Sequence, residues 1–120
     1  MAQRIIIMAG GTGGHVFPAL AVAQYLAAKE WQVSWIGTKR GMESRVVPAQ
    51  GIDIDWLAVE GLRGKGLGAK INNLSLLMKS LWQVFKILRK RKPDVVLGFG
   101  GYVAGPGGLV ANFMGIPLVI

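Results

Sequence analysis

No cysteine occurs in the 120 residues, which excludes disulfides and thiolate-held metal and leaves the redox compartment open. Histidine occurs once, as His15. Acidic residues number six against fourteen lysines and arginines, for a net charge of +8. The shortage of acid is local. Between Gly61 and Pro93 lie Arg63, Lys65, Lys70, Lys79, Lys86, Arg89, Lys90, Arg91 and Lys92, with no acid among them. Such a segment forms one basic face, which attracts polyanions or an anionic lipid surface. From Val95 to Ile120 there is no charge of either sign. That length would permit a membrane span, but seven glycines and two prolines argue for buried strands, a glycine loop and a short helix. The N-terminal apolar run, Ile5 to Ala9, is too short for the apolar region of a secretion signal, so a cytoplasmic protein is expected.

What the chain does have is glycine in two chosen places. Behind the apolar run comes Gly10-Gly11-Thr12-Gly13-Gly14-His15, with Pro18 opening a helical pattern. Ninety residues on, Asp94-Val95-Val96-Leu97 leads into Gly98-Phe99-Gly100-Gly101-Tyr102-Val103-Ala104-Gly105. Glycine at a strand-to-helix turn lets the backbone approach a ligand, and the unpaired N–H groups of the following helix favour an anion. Two such loops at equivalent ends of parallel strands line one crevice, and phosphate or diphosphate is the expected occupant. The first loop is not a dinucleotide fingerprint. Val16 stands where the third glycine belongs, and the second strand ends Ile36-Gly37-Thr38 with no ribose-binding acid. Neither glycine run continues into the Gly-Lys-Ser/Thr of a P-loop. At a helix N-terminus the imidazole of His15 is kept neutral, fit to act as a general base or to position a ligand.

Strand and helix patterns alternate along the chain. Strands are predicted at 4–8, 32–36, 52–57, 95–98 and 117–120, and helices at 18–29, 42–47, 69–91 and 107–113. Short βαβ connections of one hand mean a doubly wound parallel α/β sheet in one domain, residues 1–120. A chain stopping inside its fifth strand is expected to be a piece of a longer protein. Asp53-Ile54-Asp55 resembles a diphosphate-metal motif, but alternation with Ile52 and Trp56 puts both acids on a solvated strand face, and no metal site is expected. The long helix is apolar over more than the usual width. Leu74, Leu77, Leu81, Phe85 and Leu88 form a stripe to lie on the sheet, and Ile71, Met78 and Trp82, with Leu76, Val84 and Ile87, extend it. With Lys70, Lys79, Lys86 and the cations 89–92 at its rim, the excess suits either cover by neighbouring elements or shallow insertion into an anionic membrane. No recognition helix or aromatic sheet motif accompanies the charge, so nucleic acid is not expected.

The segments at 10–21, at 61–66 (Gly-Leu-Arg-Gly-Lys-Gly) and at 92–108 resemble, in order and spacing, the MurG family of glycosyltransferase family 28. The resemblance spans the whole chain and implies one half of a GT-B enzyme, the Rossmann-like N-terminal acceptor domain. The family is implied to transfer N-acetylglucosamine, with inversion, from uridine-diphospho-N-acetylglucosamine to the 4-hydroxyl of undecaprenyl-diphospho-muramoyl-pentapeptide. It does so at the cytoplasmic face of the bacterial inner membrane and without a cofactor. By the same resemblance Gly11, Thr12 and Gly13 approach the donor sugar across the cleft, and Gly14 is a further substrate-binding candidate. His15, Gly100, Gly101, Tyr102 and Gly105 line the acceptor diphosphate, with His15 the candidate catalytic base. Ile71, Leu74, Met78, Lys79, Trp82 and Phe113 are implied to meet the membrane. Alone, the fragment is expected to bind acceptor and membrane rather than to catalyse. Two other readings remain: a nucleotide-binding oxidoreductase domain, and a non-catalytic membrane-adsorbing module.

Overall fold

A computed structural model describes residues 3–10, 13–39, 41–57, 67–100 and 104–119. Five strands, β1 (Arg4–Ala9), β2 (Gln32–Gly37), β3 (Asp53–Trp56), β4 (Val95–Gly100) and β5 (Leu118–Val119), form one sheet in the order β3-β2-β1-β4-β5. Every pairing is parallel. The α/β doubly wound fold read from the alternating pattern is therefore present, and the strand order reverses between β1 and β4. Four helices cross between strands: α1 (Gly13–Ala28), α2 (Glu43–Ala49), α3 (Leu67–Arg91) and α4 (Ala104–Phe113).

Strand alternation sends residues to two cores. Ile5, Ile7, Ala9 and Trp35 face α1 and α2, where Val16, Ala19, Leu20, Ala23 and Val47 close over them. Ile6, Met8, Ile36 and Val96 face α3 and α4, against Val84, Leu88, Val110 and Ala111. Because both faces are covered, β1 carries an unbroken run of buried residues, as a central parallel strand should.

The helix boundaries differ from expectation at the glycines. α1 begins at Gly13, five residues before Pro18, and Pro18 lies inside it. Proline's fixed φ suits a helix, and at this sixth position its missing N–H gives up one bond, the one to the Gly14 carbonyl. α4 begins at Ala104 rather than 107, so Gly105 lies in a helical first turn. α2 runs on to Ala49, two residues past the expected end, with Pro48 inside it.

The expected packing stripe of α3 needs correction. Val84 and Leu88, with Ser80, are the buried positions, while Leu74 and Leu77 are exposed. A helix of 25 residues is about 37 Å long, whereas strands of six residues span about 20 Å. The helix therefore outruns the strands, and Leu74 and Leu77 lie on its exposed part. Its last turn is anchored instead: Arg91 donates from Nε to Asp55 Oδ2 at 2.9 Å and from Nη2 to Oδ1 at 3.4 Å. Lys90 lies 3.8 Å from Asp55, and Asp53 lies 3.7 Å from Arg91. The aspartates do share one strand face, but only Asp53 is solvated; the Asp55 side chain is 16% exposed. The hydrogen bond to Asp55, reinforced by both carboxylate charges, raises Arg91 above the ordinary guanidinium value against the opposing effect of burial.

Candidate functional site

The strand-order reversal fixes where a crevice opens. β1 and β4 run side by side and end together, with Ala9 paired to Gly100. α1 starts four residues after Ala9 and α4 four residues after Gly100, so two helix N-termini rise from adjacent strand tips. In open α/β sheets ligands bind in this place, and the free N–H groups of both first turns converge on it. His15 is the third residue of α1, Gly13 and Gly14 the first and second, and Gly105 the second of α4. Gly14 is exposed. Gly11, Thr12, Gly101 and Tyr102 lie outside the described residues. Thus the structure brings Gly13, Gly14, His15, Gly100 and Gly105 to one end of the sheet.

Three local devices shape that end. First, the β1–β4 register slips: Met8 pairs with Gly98 but Ala9 with Gly100, leaving Phe99 as an extra residue. Bulges of this kind recur beside functional sites because they re-aim the chain at a strand's end. Second, the fully buried Trp35 donates its indole N–H to the Ala9 carbonyl at 2.8 Å, fixing the tip of β1 where the glycine loop departs. Third, Gly107 lets α4 sit against β1, since a Cβ there would collide with Met8 Sδ. None of these follows from the glycine pattern. A lone tryptophan inside a strand and a doubled glycine inside a short helix were the available signals.

The tip of β2 adds a residue that sequence reasoning missed. The absent ribose-binding acid has a substitute in space: Glu43, at the start of α2, is fully buried and reaches back to this tip. Its Oε2 accepts the Thr38 N–H at 2.8 Å and the Thr38 hydroxyl at 3.3 Å. Gly37 and Gly41 leave the room, since a Cβ on either would collide with the Glu43 side chain. The carboxylate is thus committed to the protein's own backbone rather than offered to a ribose.

On the α3–α4 side lies an apolar groove of about 510 Å³, lined by Met78, Leu81, Trp82, Phe85, Leu109, Val110 and Phe113. Trp82 and Phe85 stack with ring centres 5.9 Å apart. Exposure is high for Leu74 (60%), Met78 (60%), Trp82 (61%), Leu109 (62%) and Phe113 (88%). Lys79, Lys86 and Arg89 are also exposed, and the Arg89 guanidinium lies 5.7 Å from the Phe85 ring centre. So Leu74, Met78, Lys79, Trp82 and Phe113 do lie on the open surface; the side chain of Ile71 lies outside the description. Leu109 was overlooked, although it stands four residues before Phe113 on one helical face. Among the described residues no helix is long and apolar enough to cross a membrane. A smaller hollow of about 270 Å³, lined by Arg4, Gln32, Asp53 and Arg91 among others, opens at the opposite, N-terminal edge of the sheet.

Comparison with known proteins agrees with this geometry. Residues 5–120 match the glycosyltransferase family 28 N-terminal domain. A protein of Methylococcus capsulatus, named UDP-N-acetylglucosamine--N-acetylmuramyl-(pentapeptide) pyrophosphoryl-undecaprenol N-acetylglucosamine transferase, is 60% identical over all of this chain and 34% of its own length. A protein of the same name from Shewanella violacea is 54% identical over 98% of this chain and 32% of its own. The chain therefore spans about a third of the curated relatives it matches. The crystal structure of Acinetobacter baumannii MurG superposes with a TM-score of 0.82 at 45% identity, covering 97% of this chain and 33% of that one. The glycosyltransferase SsfS6 of a Streptomyces species shares the fold alone, with a TM-score of 0.67 at 22% identity over 97% of this chain and 38% of that one.

Proposed function

The chain belongs to the glycosyltransferase family 28 N-terminal domain family, and from that premise we propose that it is the acceptor-side domain of a peptidoglycan N-acetylglucosaminyltransferase. The observation that carries the reading is the convergence of two helix N-termini, Gly13 and Ala104, on the paired tips of β1 and β4. That arrangement supplies N–H dipoles for a diphosphate with no metal. In this reading Gly100, Gly101, Tyr102 and Gly105 hold the diphosphate of an undecaprenyl-diphospho-muramoyl-pentapeptide. Gly11, Thr12, Gly13 and Gly14 approach uridine-diphospho-N-acetylglucosamine, most of which is held by a second domain.

His15 is the third residue of α1, at the end of the sheet where the crevice opens. There it takes the proton of the acceptor's 4-hydroxyl as that oxygen attacks the anomeric carbon, while uridine diphosphate leaves from the opposite face with inversion. Helix dipoles balance the charge on the diphosphates, and no cofactor is required. The exposed apolar residues of α3 and α4, ringed by Lys79, Lys86 and Arg89, suit adsorption to an anionic inner-membrane face as a peripheral protein. This basic surface serves lipid and not nucleic acid. The fragment binds acceptor and membrane, and catalysis needs the donor domain. Oxidoreductase chemistry is disfavoured by Glu43, whose carboxylate is consumed by Thr38 at the β2 tip.

A chimaera tests the reading. Substituting this chain for the matching third of the Methylococcus capsulatus relative should preserve transfer of N-acetylglucosamine to a lipid-diphospho-muramoyl acceptor. His15→Ala in that chimaera should lower kcat by about a hundredfold or more. A folded chimaera with no transfer, or one indifferent to His15→Ala, would refute the assignment.

A further inference from the structure

We propose that the hollow at the N-terminal edge of the sheet binds a small zwitterion of amino-acid size. The site is independent of the acceptor reading above and lies at the other end of the fold. It measures about 270 Å³ and is walled by Arg4, Gln32, Ser34, Asp53, Arg91 and Pro93. Strand register explains why these residues meet. Arg4 pairs with Gln32, and Ser34 pairs with Ile6 on one side and with Asp53 on the other. Alternation puts Ser34 on the α3 side of the sheet with Ile6 and Ile36, opposite the face of Trp35. Arg91, held on Asp55 at 2.9 Å, closes the hollow where α3 ends. Ser34 is the observation that points to a ligand. It is only 7% exposed, lines the hollow, and its hydroxyl has no hydrogen-bond partner among the described residues. Buried hydroxyls are nearly always partnered, because an unmet one costs free energy. Alanine would serve a purely structural position there without that cost.

Charge then sets the class of ligand. The Asp94 carboxylate accepts the Arg4 backbone N–H at 2.8 Å, and among the described residues no ion pair holds the Arg4 guanidinium. An unpaired guanidinium takes a carboxylate through two parallel N–H bonds. On the far side of β2, Asp53 is 78% exposed, and its one ion pair among the described residues is to Arg91 at 3.7 Å. Its oxygens are thus open to an ammonium. Arg4 and Asp53 stand two strand spacings apart, about 10 Å, with Gln32 and Ser34 on the strand between them. Two arginines, Arg4 and Arg91, balance two aspartates, Asp53 and Asp55, so neither a bare anion nor a bare cation suits the site. Its volume is just under the roughly 300–1,000 Å³ of small-molecule sites, which admits one amino acid and not a nucleotide.

The test titrates the chain with each of the common amino acids in turn and follows amide chemical shifts. Acetate and methylammonium chloride serve as single-charge controls. At least one amino acid should saturate with a Kd of about 1 mM or below. It should shift Gln32, Ser34 and Asp53 while Gly13, Gly14, Gly100 and Gly105 stay still. Each control should bind roughly tenfold or more weakly. Arg4→Gln and Asp53→Asn, both at exposed positions, should each weaken the amino acid roughly tenfold. Ser34→Ala should weaken it about threefold or more yet leave Tm unchanged or higher, since the deleted hydroxyl has no partner to lose. Saturation by no amino acid refutes the site. Acetate binding as tightly as the amino acid refutes the zwitterion. Binding indifferent to Arg4→Gln and Asp53→Asn, or shifts confined to the glycines of the crevice, overturns the location. A lower Tm for Ser34→Ala would show the hydroxyl bonded within the fold and overturn the argument from its burial.

Discussion

Replacing Trp35 by Phe probes the tip of β1 more sharply than any other single change. Among the described residues Trp35 is the largest fully buried side chain, and it donates to the Ala9 carbonyl at 2.8 Å. Phenylalanine keeps an aromatic ring but removes the donor. A buried carbonyl left without its partner costs about 1–3 kcal/mol. The lost volume is a fraction of a Trp→Ala cavity, so it adds about 1–2 kcal/mol to the cost. The expected destabilisation is therefore about 2–5 kcal/mol, a large share of the roughly 5–15 kcal/mol that holds a domain together. At this chain length each kcal/mol lowers Tm by about 3–6 °C, so the melt should fall by about 6–30 °C. Denaturant unfolding followed by far-ultraviolet circular dichroism measures it without relying on tryptophan emission. Amide exchange should also quicken at Ala9 and Gly10 more than at the N-terminal end of β1. A loss below about 0.5 kcal/mol with unchanged exchange would refute the claim that this bond pins the strand tip.

Other perturbations separate stability from surface function. Gly107→Ala drives a methyl into Met8, which is itself fully buried, and should cost about 1–3 kcal/mol in a thermal melt. Glu43→Ala leaves the Thr38 N–H unmet and opens a buried cavity, for an expected loss of about 2–4 kcal/mol by denaturant unfolding. Asp55→Asn weakens the paired bonds from Arg91 and should cost about 1–2 kcal/mol, most visible as faster exchange in the last turn of α3. Phe113→Ser should leave Tm within about 1 °C, because the ring is 88% exposed, yet reduce sedimentation with anionic vesicles roughly tenfold or more.

Much of the fold was legible because burial on both faces writes itself into the sequence. Ile5-Ile6-Ile7-Met8 and Val95-Val96-Leu97 are the two central strands, and their unbroken apolar runs say so. The helix starts are less legible, because α1 and α4 begin within glycine-rich segments, upstream of the positions 18 and 107 that the local pattern indicates. In α1 and α4 tertiary packing overrides local propensity, and Val16 and Gly107 are held against the sheet within the first turns. The long helix was recognised, but which of its faces meets the sheet depends on where the strands end. No periodicity encodes that limit, so Leu74 and Leu77 were placed inside when they lie outside. The crevice was visible in the spacing of two glycine runs. Glu43 was not, because a carboxylate that reaches back to its own strand tip looks in sequence like any first-turn acid of a helix.

The most direct test of the central claim is an amide chemical-shift titration of this chain with three ligands in turn. These are a short-chain lipid-diphospho-muramoyl-peptide, uridine-diphospho-N-acetylglucosamine and NAD. The account predicts that the lipid-linked ligand shifts Gly13, Gly14, His15, Gly100 and Gly105 at once, that the sugar nucleotide acts weakly and only near Gly13, and that NAD does nothing. Saturable NAD binding at the tips of β1 and β2, or silence at both helix N-termini with the lipid-linked ligand, would contradict it.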